Sequence, residues 1–286
     1  MIAEKSNRSG VAVITGTTHG IGRVTARELA RAGLRVAMLC RNTQAAADVR
    51  GEILQALPEA QIDVVHCDLA SLDSVRVSAA AVRERYDSIQ LLINNAGIVT
   101  ALHRMSPDGF ELMFATNHLG PFLLTHLLLD KVATDGGRII NVASRAHYRG
   151  QLALEDIRNP HARFRARAAY AQSKLANVMH AFALARRLSH TRIDVNCLHP
   201  GIVATNLLPR WLRLIKPLLS PVILDAEQGA RTTVHLALAS EVAGISGRYF
   251  DEYQAIQPAS PLADDVELQE RLWQTSEAWV GIRGAV

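Results

Sequence analysis

The run Val11–Thr15, VAVIT, passes without a break into Gly16-Thr17-Thr18-His19-Gly20-Ile21-Gly22, and an amphipathic segment opens at Val24. A short continuous apolar run is how a strand buried on both faces reads; apolar recurrence at three- and four-residue spacing over 24–32 reads as a helix. The three glycines between them have separate uses. Gly16 permits a sharp turn off the strand, Gly20 lets a phosphate approach the backbone, and Gly22 lets the helix start pack closely on the sheet. Beyond them the helix N-terminus offers unpaired N–H groups and a positive dipole to an anion. Ordinary turns also use glycine freely, so the placement between strand and helix is what points to a dinucleotide. Thr18, His19 and Ile21 complete the expected contact loop.

Working outward, further strand patterns occupy Arg35–Cys40, Ile62–His66, Leu91–Asn94, Arg138–Val142, Asp194–Leu198 and Gly247–Phe250. Helical patterns lie between them, at Val24–Ala32, Ser71–Tyr86, Leu112–Val132, Tyr170–Leu188 and Ala226–Ala239. Such alternation implies an α/β fold of Rossmann type: one doubly wound, mostly parallel, seven-stranded sheet with helices on both faces. Ligands bind such sheets beyond the carboxyl ends of the strands. No linker or repeat divides residues 1–286, so one domain is expected, with residues 1–9 as a flexible N-terminus.

The composition excludes several classes. A net charge of +4 with arginines scattered along the chain does not form the basic stripe of a nucleic-acid binder. The one local concentration, Arg163, Arg165 and Arg167, reads either as solvated loop charge or as an anion or membrane-surface contact. Three cysteines, Cys40, Cys67 and Cys197, sit in or beside strand patterns and read as buried thiols. The eleven histidines lack metal-ligand spacing, so no metal is expected. The opening MIAEKSNRSG is polar, without the apolar core of a signal peptide. No apolar run reaches the roughly 18 residues a membrane span needs. A soluble, cytoplasmic protein is the expectation.

The second strand ends at Cys40-Arg41-Asn42, where NAD sites place an acidic residue on the ribose 2′-hydroxyl. Arg41 suits a 2′-phosphate instead, which favours NADP(H) while leaving NAD(H) open. The glycine spacing is GxxxGxG with Thr-Gly at the front, and it resembles the short-chain dehydrogenase/reductase family. That resemblance spans nearly the whole chain through several independent motifs. It assigns Asp68 to the adenine amino group with Leu69 beside it, although an Asp there could equally cap the helix near Ser71. It also matches Asn94-Asn95-Ala96-Gly97, in which Asn94 reads as structural and Asn95, Ala96 and Gly97 as lying near the cofactor.

Tyr170-Ala-Gln-Ser-Lys174 opens a helical segment, and residues four apart share a helix face. A neighbouring ammonium favours tyrosinate; bringing a phenol from about 10 to near 7 takes about 4 kcal/mol. Tyr170 and Lys174 are therefore the expected proton-transfer pair. Ser144, after the fifth strand, can hold a carbonyl oxygen. Tyr148 lies nearer Ser144, but Leu152 stands where its lysine would be. Asn117 interrupts an apolar helix just before Gly120-Pro121; the resemblance makes it the fourth catalytic residue, holding a water that links Lys174 to solvent. In the family, the segment Pro200-Gly201-Ile202 and the Thr205 hydroxyl surround the nicotinamide and fix transfer of its 4-pro-S hydride.

Within the family the chain is most similar to retinol dehydrogenase-like members, through 117–129 (NHLGPFLLTHLLL), 144–147, 170–179 (YAQSKLANVM), 198–203 (LHPGIV) and 226–250. The hydrophobic N-terminal anchor of the animal members has no counterpart, so retinoid is not the expected natural substrate. Residues 206–225 lie where the family has a substrate-covering lid, and the apolar content of 206–222 suits a lipophilic aldehyde or ketone. An interfacial membrane helix or a subunit contact would read similarly. The expected reaction is carbonyl reductase chemistry and its reverse, in a homodimer or homotetramer built through the long helices. An NADP redox sensor without turnover and an epimerase or dehydratase are the competing readings.

Overall fold

A computed structural model of the chain describes residues 10–159, 163–203, 224–282 and 284. Its strands are β1 (Val11–Thr15), β2 (Arg35–Cys40), β3 (Ile62–His66), β4 (Leu91–Asn94), β5 (Asp135–Val142), β6 (Arg192–Leu198), β7 (Arg248–Phe250) and β8 (Ile256–Gln257). They form one sheet in the order β3-β2-β1-β4-β5-β6-β7-β8. The first four have the expected bounds. β5 and β6 start earlier than their apolar runs, because Asp135 pairs in register with Arg192 beyond an irregularity before Arg138. The sheet has eight strands rather than seven. β8 is antiparallel to β7, and its two exposed residues carry no apolar run for a sequence pattern to catch.

The order reverses between β1 and β4, so helices leave on opposite faces. β1 shows the division. Ala12 and Ile14 enter a core with α1 (Gly20–Arg31), α2 (Thr43–Ala56) and α7 (Ala226–Leu238). Val13 enters the other core, with α3 (Leu72–Arg85), α6 (Ala166–Arg187) and the C-terminal α9 (Val266–Val280), which follows the short α8 (Pro261–Asp264). Alternate residues of a strand face opposite sides, so one five-residue strand serves both cores. Asn42 caps α2 by accepting from Ala45 N–H at 3.0 Å, and Ser71 caps α3.

The expected single helix over 112–132 is broken into pieces. Short α4 (Leu112–Phe114) runs into a π-helical turn, Ala115–Leu119, then α5 (Gly120–Leu128) and a 3₁₀ turn. Pro121 has no N–H to give the Asn117 carbonyl four residues back, so the ladder widens by one residue just there. The stretch Leu112–Lys131 is long and apolar enough to cross a membrane, but 83% of it is buried inside this fold, as in a core helix.

Behind the π turn lies a histidine cluster. His118, His126 and His180 are each at most 7% exposed and surround Phe122 and Trp273. Burial pulls His118 down to about 3, His126 to about 4, and His180 well below the ordinary 6.5, so the folded chain holds them neutral. Unfolded imidazoles take protons below about 6.5, so this stability is complete above that pH and falls away toward pH 4. The melting temperature is expected to drop steadily between pH 6.5 and 4.5, with a shallower slope for His126→Leu. A flat profile over that window would contradict the neutral cluster.

Candidate active site

At the carboxyl end of β1 the backbone turns at Gly16, whose φ is +73°. A Cβ there would stand 2.8 Å from Ala96 Cα, so β4's exit loop and the glycine loop are in close contact. Asn95 makes the join: its Nδ2 donates to the Thr15 carbonyl at 2.8 Å and the Gly16 carbonyl at 3.1 Å. The Thr15 hydroxyl accepts from Asn95 N–H at 3.1 Å and Ala96 N–H at 3.0 Å. Asn95 thus enters the cofactor region as a strut for the loop, with its amide nitrogen already engaged. Gly22 has no room for a side chain; its Cβ would overlap the Gly16 carbonyl and lie 2.5 Å from Asn95 Nδ2.

His19 occupies the N-cap position of α1 in extended conformation, with no side-chain cap bond and no acidic residue in the first turn. Its Nδ1 is paired with the Thr18 hydroxyl at 3.0 Å. The first-turn N–H groups, with Gly20 and Ile21 among them, are therefore left without a side-chain cap. That donor set fits an anionic pyrophosphate. Arg41 is exposed at the end of β2. Asp68 does not cap α3, since Ser71 does; its Oδ1 accepts from Ala70 N–H at 3.0 Å and fixes the turn after β3. Leu69 is 5% exposed, a core residue with its carbonyl against Gly120.

Across the crevice, α6 carries Tyr170 and Lys174 one turn apart. Lys174 is 3% exposed and donates from Nζ to the Val142 carbonyl at 2.8 Å, while Nζ lies 5.8 Å from the centre of the Tyr170 ring. The Gly97 backbone stands beside that ammonium and beside Asn117 Oδ1. Ser144 hydrogen-bonds the Tyr170 phenol. Asn117 sits in the π turn with both amide N–H donors used: Oδ1 accepts from Ile98 N–H at 2.8 Å, and Nδ2 donates to the Ile98 carbonyl and the Ser173 hydroxyl, both at 3.0 Å. Its side chain ties the Gly97-Ile98 loop to α6. Pro121, four residues on, has no N–H to give the Asn117 backbone carbonyl.

The electrostatics differ from the sequence expectation. Burial raises the Tyr170 phenol above its ordinary value, and the Ser144 bond offsets this only in part. Burial also lowers Lys174 to about 8, which weakens the ammonium's hold on charge. Among the protein's own groups desolvation outweighs the expected lysine effect, which favours a protonated phenol at neutral pH.

Sequence reasoning overlooked His147. Its Nε2 accepts from Ser260 N–H at 3.2 Å, so Nδ1 carries the proton and donates to the Ser144 carbonyl at 2.7 Å. It orients Ser144 from below. The signal was its place three residues after Ser144, within one 3₁₀ turn. Tyr148 donates to the Pro258 carbonyl at 2.6 Å and takes no part. Pro200 and Gly201 follow β6, and Ile202 is 49% exposed beside the crevice. Thr205, residues 206–223 of the expected lid and residues 1–9 lie outside the described residues.

A dinucleotide loop on one side of the switch point and a serine–tyrosine–lysine cluster on the other define a hydride-transfer enzyme. Residues 10–213 match the model of the short chain dehydrogenase family, and the chain belongs to that family. It is an NAD(P)-dependent oxidoreductase acting on CH–OH groups, of the retinol dehydrogenase-like kind. It is 40% identical over 284 residues to retinol dehydrogenase 13 of Homo sapiens, covering 94% of this chain and 84% of that one. To the chloroplastic short-chain dehydrogenase TIC 32 B of Brassica napus it is 39% identical, covering 93% and 87%. A crystal structure of an uncharacterized protein from Mycobacterium paratuberculosis superposes with a TM-score of 0.77 at 34% identity, covering 96% and 94%.

The close approach at Gly22 makes a direct prediction. Gly22→Ala should push α1 off the loop and weaken dinucleotide binding by at least tenfold, with little change in helix content. Calorimetric titration beside circular dichroism measures both, and unaltered affinity would show that the contact relaxes freely.

Proposed function

We propose that this chain reduces a lipophilic aldehyde or ketone with NADPH, and catalyses the reverse oxidation, with Tyr170 as the group that moves the proton. The observation that carries this reading is the Ser144–Tyr170–Lys174 cluster opening beside the uncapped start of α1. The bound nicotinamide would supply hydride. Ser144 holds the carbonyl oxygen, and Tyr170 is already in the protonated state that reduction requires. Lys174 keeps two N–H donors beyond its Val142 bond, available to a ribose hydroxyl and to the phenol. Asn117 braces Ile98 and α6 and offers its backbone carbonyl to a water.

Preference for NADP(H) rests on Arg41. A charge-assisted contact to the 2′-phosphate contributes about 1.5–3 kcal/mol, roughly ten- to a hundredfold in affinity. The lipophilic substrate class is supported by exposed Val99, Leu102 and Ile202, which follow the two loops that flank the crevice. The names of the retinol dehydrogenase relatives point the same way. A cytoplasmic location and a homodimer or homotetramer belong to the same proposal.

An aldehyde and ketone panel assayed in parallel with NADPH and NADH tests the reading. Turnover of apolar carbonyls with a tenfold or greater NADPH preference is expected, and Arg41→Ala should erase most of that preference. NADH preference in the parent chain would overturn the Arg41 assignment. Tyr170→Phe should bind dinucleotide normally and lose nearly all turnover. Because tyrosinate is needed for oxidation and the phenol's affinity for protons is raised, alcohol oxidation should climb from pH 7 to 10. Reduction should be fastest near neutrality and fall with alkalinity. An oxidation rate flat over that range would exclude Tyr170 as the base.

A further inference from the structure

The chain enters α6 through three arginines. Arg163, Arg165 and Arg167 are exposed, with Arg165 at the N-cap and Arg167 in the first turn of the helix. That end of a helix carries positive charge, so cations there cost stability, and no acidic residue in the first turn offsets them. Arg104 and Arg158 are exposed as well. Among the described residues none of these five is paired with a carboxylate, whereas Arg27, Arg83 and Arg187 each are.

Three contacts bring these charges onto one surface. The His103 and Phe164 rings stack, with centroids 5.0 Å apart and planes 8° from parallel. The Arg158 guanidinium lies 5.0 Å from the centre of the Phe110 ring. Glu111 N–H donates to the Ile157 carbonyl at 2.7 Å. The loop after β4 is thereby joined to the segment before α6: Leu102 and Arg104 flank one stacked ring, and Arg163 and Arg165 flank the other. Leu102 is 67% exposed and Val99 41%. Of the carboxylates in these two segments, Glu111 is buried as the cap of α4 and Asp108 accepts from Leu72 N–H. That leaves Glu155 and Asp156 exposed against the five arginines. Both segments lead to the reacting site, since Gly97 stands beside the Lys174 ammonium and Tyr170 comes one turn after Arg167.

We propose that this surface docks the mouth of the crevice onto an anionic lipid bilayer, so that a lipophilic carbonyl passes from the membrane toward Tyr170. The inference rests on the lipophilic-substrate reading and adds where that substrate is met. Charge complementarity selects the occupant. Each arginine near an anionic leaflet strengthens attachment about fivefold, and unpaired guanidiniums give up no ion pair to do so. The apolar residues separate a bilayer from an acidic protein or a nucleic acid. Leu102 and Val99 stand exposed among the cations, where the boundary between headgroups and acyl chains would take them. Arginine stems are apolar too and lie along such a boundary with their charge toward the headgroups. The contact is peripheral and reversible, because a basic patch with a small apolar tip attaches far more weakly than a spanning helix.

Flotation of the full chain with lipid vesicles tests the docking. The chain should bind vesicles of equal parts phosphatidylcholine and phosphatidylserine, ignore phosphatidylcholine alone, and come off as salt screens the charges. Arg163→Glu with Arg165→Glu should bind the mixed vesicles at least about tenfold less, and the neutral pair Arg163→Gln with Arg165→Gln should fall between. Leu102→Asp should weaken binding while leaving its salt dependence. The charge-reversed pair should keep its kcat toward a short water-soluble aldehyde and its calorimetric dinucleotide affinity, yet slow on decanal carried in the mixed vesicles. Equal binding to both vesicle types, or undiminished binding by the charge-reversed pair, would overturn the docking and leave the lipophilic-carbonyl reading standing. Capture on immobilised polyglutamate without vesicle binding would overturn it as well, and would assign the arginines to an acidic protein. Arginine-dependent vesicle binding with no turnover of any lipophilic carbonyl would uphold the docking and remove the substrate reading.

Discussion

The ammonium of Lys174 is almost wholly desolvated and meets no carboxylate; among the described residues its one hydrogen bond is to the Val142 carbonyl. Taking a cation out of water costs several kcal/mol unless its surroundings compensate, and one neutral acceptor compensates only in part. The protein answers by letting the group's proton affinity fall. Everything around that ammonium is built to hold it there. α6 is buried along most of its length, β5 ends where the carbonyl is needed, and Gly97 leaves the space open. Asn117 ties that space to the helix through Ser173.

A buried, unpaired ammonium beside a buried phenol is a poor arrangement for stability and a good one for proton transfer. Both groups sit away from their ordinary values in directions that bring their proton affinities within reach of neighbours and ligands. The protein's own groups favour neutral phenol. A positively charged ring docked against it would shift the balance toward tyrosinate, so the site is completed electrostatically by what it binds.

The glycine loop after β1 and the cluster of Ser144, Tyr170 and Lys174 come from opposite sides of the point where strand order reverses, between β1 and β4. They are joined by short polar links, with Asn95 stitched to Thr15 and Gly16, and Thr15 to Ala96. These links lie at the carboxyl edge, where strand ends leave backbone groups that the sheet no longer pairs. The same edge gathers His147 under Ser144. A parallel sheet sends every strand's carboxyl end to one rim, which brings residues more than a hundred positions apart in sequence into one crevice.

Much of this was written in local pattern. Strand bounds for β1 to β4, the glycine loop and the tyrosine–lysine spacing depend on near-neighbour periodicity and on backbone freedom, and the sequence states both. The weak points were features whose cause is distant. β8 exists because β7 has an open edge, and α9 because the rings of Phe122 and His126 need the cover its Trp273 gives. The π turn needs Pro121 and its packing together. Which nitrogen of His147 donates, whether Asn95 or Asn117 has an amide to spare, and whether the phenol is raised or lowered were decided only by the folded chain. Hydrogen-bond partners and desolvation belong to the environment a side chain ends up in, and residue identity does not contain them.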